Sequence, residues 1–413
     1  MKINKAYRYE LKPNNEQRGL FIKAGGIARF AWNWGLARRK ELYKTKEGKE
    51  RFTNYVRQSR ELNVLKKTDF PWMYEVSKCA PQYALRDLEE AYTNFYRGRK
   101  TGEDIGLPKF KKKGVHDSFT IQDTYNTLRV ERVGVRLPTI GIVRTKENTS
   151  KLKDRICYAT VSREADRWFV SLAVEHEYLE PQPIQGDIVG IDLGINSFAT
   201  IWNGKNIEKI DAPKPLAKKL KKLQRLDRQH SRKQKKSNNR KKAALREARL
   251  HRKIRNTRKD FLAKLSTSLA KTKSVIVIED LAVKNMTKNH RLARSISDVG
   301  WGEFRQMLEY KCKWYGSRLI VIGRFEPTSK MCHVCRAINK DLDLNDRTWV
   351  CPTCEVILDR DENAAINICQ LGIAIMDTEG SSGINACREC VSPQMESGAT
   401  LVEAGSKQTS MDR

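Results

Sequence analysis

Four cysteines restrict this chain more than any other feature. Cys332 and Cys335, then Cys351 and Cys354, form two Cys-x-x-Cys pairs with fifteen residues between them. Two such knuckles can present four thiolates as a tetrahedron, the arrangement of a closed zinc site with Zn–S near ~2.3 Å. One structural Zn²⁺ is therefore expected, with no position left over for catalysis; a redox pair is the alternative. His333, inside the first pair, is not expected to be a ligand. Cys79, Cys157, Cys312 and Cys369 sit in apolar patterns and read as core residues. Cys387 and Cys390 form a further pair that stays unassigned.

Charge is the second constraint. Among 413 residues, 80 Lys and Arg stand against 49 Asp and Glu, a formal +31. A surplus that size opposes compaction unless something anionic shares it, and the usual partners are nucleic acid or an acidic membrane. No apolar run approaches the ~20 residues of a spanning helix. The start, Met1-Lys2-Ile3-Asn4-Lys5-Ala6-Tyr7, lacks the apolar stretch of a signal peptide. The expectation is a cytoplasmic protein that handles nucleic acid and does not engage a membrane. Of the +31, +18 falls within Lys218–Lys259, where 20 cations accompany Asp227 and Glu247. Leu216, Leu220 and Leu223 give that stretch a helical stripe, and Ser237-Asn238-Asn239 interrupts it, so two helices are expected. Lys218, Lys219, Lys222, Arg225, Lys235, Lys236, Arg240 and Lys241 are its candidate nucleic-acid contacts.

The length implies two or three domains. Ala6–Leu11 reads as a strand. Phe21, Ala24, Ile27, Phe30, Ala31 and Trp34 recur at helical spacing, and a second stripe from Tyr83 to Phe95 stops at Gly98. Strand chemistry follows: Val133–Pro138, then Ile156–Arg163 and Trp168–Glu175 around a turn. Pro181-Gln182-Pro183 marks a boundary. Beyond it strands alternate with helices, with strand-like runs at Ile188–Trp202, Ser274–Ile278 and Arg318–Gly323. The tail after Gly372 has no periodicity and reads as disordered.

Three carboxylates stand out. Asp192 interrupts the apolar run Ile188–Asn196, where an unpaired charge costs several kcal/mol. Gly190 and Gly194 beside it admit another backbone or a phosphate; an edge or turn Asp is the plainer alternative. Glu279 ends Val275–Ile278 at a place where sheet ligands gather, though Asp280 is equally available. Asp361 opens a helix, where an ordinary cap or dipole acid is as good an account. Together such acids can hold two divalent cations about 4 Å apart. One would activate water and the other stabilise a leaving 3′ oxygen in phosphodiester cleavage. Oxygen ligands and phosphate favour Mg²⁺, with Mn²⁺ as substitute.

These residues resemble the TnpB family of insertion-sequence-encoded RNA-guided nucleases, relatives of type V CRISPR effectors. The marks are Gly26-Ile27-Ala28-Arg29-Phe30-Ala31-Trp32-Asn33, Leu107-Pro108-Lys109-Phe110-Lys111, Val135–Gly141, Gly190–Gly194, Ile278–Leu281, the four cysteines and Asp359–Ala365. The resemblance implies a multidomain α+β fold. An N-terminal β-barrel wedge domain (1–16 and 106–183) would be interrupted by a helical recognition domain (17–105). An α/β RNase H-like (RuvC) nuclease domain (184–327 and 359–372) would carry an inserted zinc ribbon (328–358), with 373–413 as tail. It also implies Asp192, Glu279 and Asp361 as the catalytic acids, and Arg347 near the scissile phosphate. The implied partners are a guide RNA from the transposon right end and double-stranded target DNA beside a short motif. Lys78, Gln82 and Tyr83 are candidates for reading that motif, against the alternative of an ordinary basic amphipathic helix. A monomer is expected. A transposase, or a non-catalytic RNA-guided DNA-binding protein, is the competing reading.

Overall fold

The computed structural model describes residues 2–115, 117–123, 127–177, 180–343 and 346–381. They fall into two compact units that divide near residue 178.

In the first unit, strand β1 (Lys2–Lys12) leads into α1 (Asn15–Thr45), α2 (Tyr55–Thr68) and α3 (Cys79–Thr101). Six strands follow: β2 (Ser118–Gln122), β3 (Arg129–Glu131), β4 (Gly134–Leu137), β5 (Gly141–Thr145), β6 (Ile156–Glu164) and β7 (Arg167–Glu177). Asn14 starts α1 through a reciprocal capping box with Gln17. The stripe expected on α1 is buried at Phe21, Ala24, Ile27 and Ala31, and half-buried at Phe30 and Trp34. β6 and β7 form the expected hairpin, with Ala165 in the left-handed region at its turn (φ 56°).

The sheet is a correction. Its seven strands run in the open order β2-β6-β7-β1-β5-β4-β3, and among the described residues β2 and β3 do not pair. The expected barrel is not closed. α1 and α3 pack against β2 instead, and helices that cover a strand edge shield it from pairing with another chain. Two of the resembling motifs meet at this point. Asn33 exchanges hydrogen bonds with the backbone of Lys111 (3.0 and 2.8 Å), and Trp32 Nε1 donates to Lys109 O at 3.0 Å.

The second unit holds a five-stranded sheet in the order β10-β9-β8-β11-β12. Its strands are β8 (Ile188–Asp192), β9 (Ser197–Trp202), β10 (Ile207–Asp211), β11 (Val275–Glu279) and β12 (Arg318–Ile322). β8, β11 and β12 are parallel, while β9 runs antiparallel to both neighbours. The run Ile188–Trp202 is thus two strands, and Asp192 ends the first rather than interrupting a longer one. Between β10 and β11 stand the helices α4 (Pro215–Ser231) and α5 (Asn238–Thr272), as the leucine stripe and its interruption required. The short helices α6 (Val283–Met286) and α7 (Ala293–Val299) precede α8 (Trp301–Tyr315). The small strands β13 (Thr348–Val350) and β14 (Ile357–Asp359) lead into α9 (Arg360–Ser381).

Strand periodicity sorts this core. Ile276 and Ile278 join the cluster of Leu262, Phe304 and Leu308, whereas Val275 and Val277 join Ile368 of α9. Helices therefore cover both faces. α9 also runs nine residues past Gly372, where a disordered tail was expected to begin. Gly372 does not end it. A Cβ there would strike the Val277 side chain, so the glycine lets the helix lie close on β11. Ile375 and Met376 continue the apolar stripe. Cys387 and Cys390 lie outside the described residues.

Candidate active site and metal centre

Asp192 and Glu279 end adjacent parallel strands, one register step beyond the paired Ile191 and Ile278. Both carboxylates therefore leave the same end of the sheet. α9 brings the third acid because Gly190 lets it approach: a Cβ at Gly190 would overlap Ala365 O and Cys369 N. That close crossing places the first turn of α9, with Asp361, beside β8. Gly194 serves a tight turn, where a Cβ would lie 2.8 Å from Ser197 O. Of the two approaches expected at these glycines, Gly190 admits a helix backbone.

Asp192 lies within electrostatic reach of both other acids. Its carboxyl is pushed up to about 8, first by enclosure in protein, then by the neighbouring Glu279 and Asp361 carboxylates. The residue keeps partial surface access, so a ligand can reach it. Burial also raises Glu279, and the Thr328 hydroxyl, which donates to Oε1, acts against that rise.

The neighbouring acids have other partners. Asp280 forms ion pairs with Arg305 and Arg324, which hold it below its usual range despite partial burial. Asp359 Oδ1 accepts the backbone N–H groups of Asp361 and Glu362, both at 3.0 Å, and so caps α9. Lys209 bridges Asp359 (3.0 Å) and Glu362 (2.8 Å). The capping account considered for Asp361 thus belongs to Asp359. Asp361 meets Arg347 instead, Nη1 to Oδ1 at 3.5 Å.

Sequence reasoning missed the residues that tie this site to the cysteine module. Thr328, Asn363 and Asn367 are all buried. Both asparagine amides donate to Thr328 O and Met331 O, Asn363 at 3.3 and 2.8 Å, Asn367 at 2.8 and 2.6 Å. Asn363 Oδ1 accepts from His333 N at 3.0 Å and contacts His333 Nδ1 at 3.1 Å, so His333 docks the module on α9. The repeat of Asn at i and i+4 just after Asp361 was the available signal.

The cysteines converge. Their four Sγ atoms all lie within 4.8 Å of one another, with Cys332–Cys354 at 3.7 Å and Cys335–Cys351 at 3.5 Å. A tetrahedron with ~2.3 Å metal–sulfur bonds has edges of about 3.8 Å, so the thiols fit one metal ion. Each knuckle closes alike. Arg336 N bonds Cys332 O and Glu355 N bonds Cys351 O, with Arg336 and Glu355 both left-handed (φ 65° and 58°). The Cys351 thiol is drawn down to about 6, first by the backbone N–H of Cys354. Among the described residues this is the one group of acids, histidines or cysteines this tight; the three carboxylates are not as close together. Of the four cysteines read as core, Cys79, Cys312 and Cys369 are buried and Cys157 is half-buried.

The basic helices present most of the expected cations. Lys218, Lys222, Arg225, Lys235, Lys236 and Lys241 are exposed, and Lys219 is half-buried. Arg240 is engaged: Nη1 donates to His230 O and Lys233 O (3.3 and 3.0 Å), closing the turn between α4 and α5. Buried Asp298 accepts from Leu216 N and Ala217 N and anchors the start of α4. In the first unit, Lys78 is exposed at the N-terminal end of α3, with Gln82 and Tyr83 half-buried in its first turn.

Family models match three stretches. One described as "Probable transposase" covers residues 169–290, one described as "Cas12f1-like, TNB domain" covers 301–368, and one described as "Helix-turn-helix domain" covers 1–49. The last description does not fit the local structure, which is β1 followed by the unbroken 31-residue α1. A "Putative RNA-guided DNA endonuclease" of Streptomyces pristinaespiralis is 38% identical over 383 residues, 90% of each chain. The "Putative RNA-guided DNA endonuclease InsQ" of Escherichia coli K12 is 32% identical over 388 residues, 90% of this chain and 93% of its own. Among solved structures, a chain of the "Cas12f1-sgRNA-target DNA complex" superposes with a TM-score of 0.53 at 15% identity, over 89% of this chain and 99% of that one. That likeness concerns the fold.

Proposed function

As a member of the TnpB family, the chain is an RNA-guided DNA endonuclease, and we propose that Asp192, Glu279 and Asp361 are its catalytic carboxylates in a RuvC-like domain. The observation that carries this reading is that Asp192 and Glu279 end adjacent parallel strands where α9 crosses at Gly190 with Asp361 in its first turn, while the adjacent Asp280 and Asp359 are occupied elsewhere. The sheet order, with β9 alone running against the other four strands, supports the RNase H-like assignment.

The donor set is all oxygen, which suits Mg²⁺ or Mn²⁺. When bound there, two such ions supply an activated water and charge neutralisation at a scissile phosphate. The chain's own residues prepare that place. Gly190 sets the distance from α9 to β8, and the Thr328 hydroxyl orients the Glu279 carboxylate. Arg347, largely exposed and within reach of Asp361, offers a guanidinium to a phosphate oxygen. The exposed cations of α4 and α5 provide a seat for the nucleic acids, and Lys78, Gln82 and Tyr83 are assigned to the motif beside the target. The four cysteines would hold a structural Zn²⁺, and the module so ordered would brace Thr328 through Met331 and the two asparagines.

The decisive experiment is Asp192→Ala. Metal-dependent cleavage of a matched target should be lost, while guided binding of that target survives. Cleavage at the unmutated rate would remove Asp192 from the site.

A further inference from the structure

The first unit carries a site that the nuclease reading leaves unused. The C-terminal end of α1, the start of α2 and the second half of α3 enclose a cavity of about 840 Å³, within the ~300–1,000 Å³ of ligand pockets. Its wall is not built as a packing surface. Tyr43, Phe52 and Tyr96 line it with 56%, 59% and 49% of their surfaces exposed, whereas rings that only filled a core would be covered.

Cations crowd the same wall. Lys44, Lys49, Arg51, Arg57 and Arg99 contribute, and among the lining residues Glu89 is the one carboxylate, already paired with Arg39. Several of these charges lie over rings: Arg51 sits 4.7 Å from the Tyr43 centroid, Arg39 4.8 Å from Tyr92 and Arg99 5.9 Å from Phe95. A ligand for this wall must offer flat π-faces and repeated negative charge together. Unpaired nucleotides do so, because their bases are free to stack and phosphates alternate with them. A duplex does not, since its base faces are buried in its own stack.

We infer that this cavity holds unpaired nucleotides of a single-stranded nucleic acid. A base stacks on Tyr43, Phe52 or Tyr96, with neighbouring phosphates on Lys44, Lys49 and Arg57. The inference rests on the nuclease reading only for the source of the strand: an unpaired segment of the guide RNA, or the DNA strand displaced when the guide pairs.

The test uses the full chain bound to its guide RNA. Ultraviolet crosslinking followed by peptide mass spectrometry is run in two arms, one on the bound RNA and one with added dodecathymidylate. Crosslinks are expected on the peptides carrying Tyr43, Phe52 or Tyr96, and the arm in which they occur names the source. The double variant Phe52→Ala/Tyr96→Ala should lose them and weaken dodecathymidylate or dodecauridylate binding about tenfold or more. Its plot of log affinity against log salt should keep its slope, because the charges remain. Lys44→Ala/Arg57→Ala should instead lower that slope by about 0.7 for each lost contact. Phe52→Trp/Tyr96→Trp should restore both crosslinks and affinity, which a purely structural role for the rings would not predict. Crosslinks confined to other peptides in both arms, or, where the oligonucleotide arm crosslinks, unchanged oligonucleotide affinity in the Ala variant, would overturn the inference. Cleavage is read separately. Unimpaired Asp192→Ala would remove the assigned triad and leave the crosslinks standing, and lost crosslinks would leave the triad standing.

Discussion

Asp192 carries the largest electrostatic cost among the site residues. Its metal-free value of about 8 lies above the ordinary 3.8, so the folded protein keeps a proton there that the unfolded chain has released. Stability from this group is therefore complete below about pH 4 and is lost as the pH rises towards 8, at close to 1.4 kcal/mol per pH unit. Asp192→Asn removes the buried charge with little change in shape. Without added divalent cation the variant should be more stable than wild type at about pH 8, by a few kcal/mol, and nearly equal at about pH 4. Urea unfolding across that range provides the check; parallel pH profiles would contradict the burial argument. Thr328 makes a second prediction at this scale. Thr328→Val removes the donor to Glu279 while keeping the volume, and should slow cleavage about tenfold or more with target binding intact. Thr328→Ser should retain most of the rate. These partners also bear on choices that the local sequence left open. Glu279 and Asp280 are chemically equivalent as neighbours, and so are Asp359 and Asp361. The arginines on Asp280 arrive from distant segments, whereas the cap made by Asp359 is local to the start of α9.

Helix α9 is the element on which the site depends. It crosses β8 at Gly190, caps itself with Asp359 and fixes the cysteine module through Asn363 and Asn367. Gly190→Ala should push α9 off the sheet, cost about 1–3 kcal/mol and displace Asp361 enough to depress cleavage. Gly19→Ala, in open space on α1, is the control and should be neutral or slightly stabilising. Thermal unfolding and cleavage rate measured on both variants decide the matter. Two glycines show why element ends were harder to read than elements. Gly98 and Gly372 both suggest a stop, yet α3 continues to Thr101 and α9 to Ser381. Each glycine instead accepts a neighbouring side chain, Ile105 and Val277 respectively. A glycine required by contact and one required by conformation look the same in a sequence.

At the scale of the whole molecule, the cysteine module and the net charge make the predictions. Cys332, Trp349, Cys351 and Leu358 belong to a small separate cluster, too little apolar surface to order the module without a metal. Metal analysis should find about one zinc per chain. Cys332→Ser, or chelation, should loosen the module and lower cleavage through Thr328. A metal-free preparation with full cleavage would refute that linkage. The +31 charge implies steep weakening of nucleic-acid binding with salt and poor behaviour of the protein without RNA.

The amino-acid order alone determined what is local. Cysteine spacing, helical and alternating periodicity, the charge run and its interruption are short-range properties, and the knuckles, the β6–β7 hairpin and the α4–α5 pair follow from them. Tertiary structure decided what depends on distant partners. It left the N-terminal sheet open with helices packed against β2, carried α9 past Gly372, assigned Arg240 to a turn, and gathered basic and aromatic residues of three helical segments around one cavity. The physical reason is the same in each case. A side chain's local preference says which element it joins, while its role is set by the groups that folding brings within a few ångströms of it.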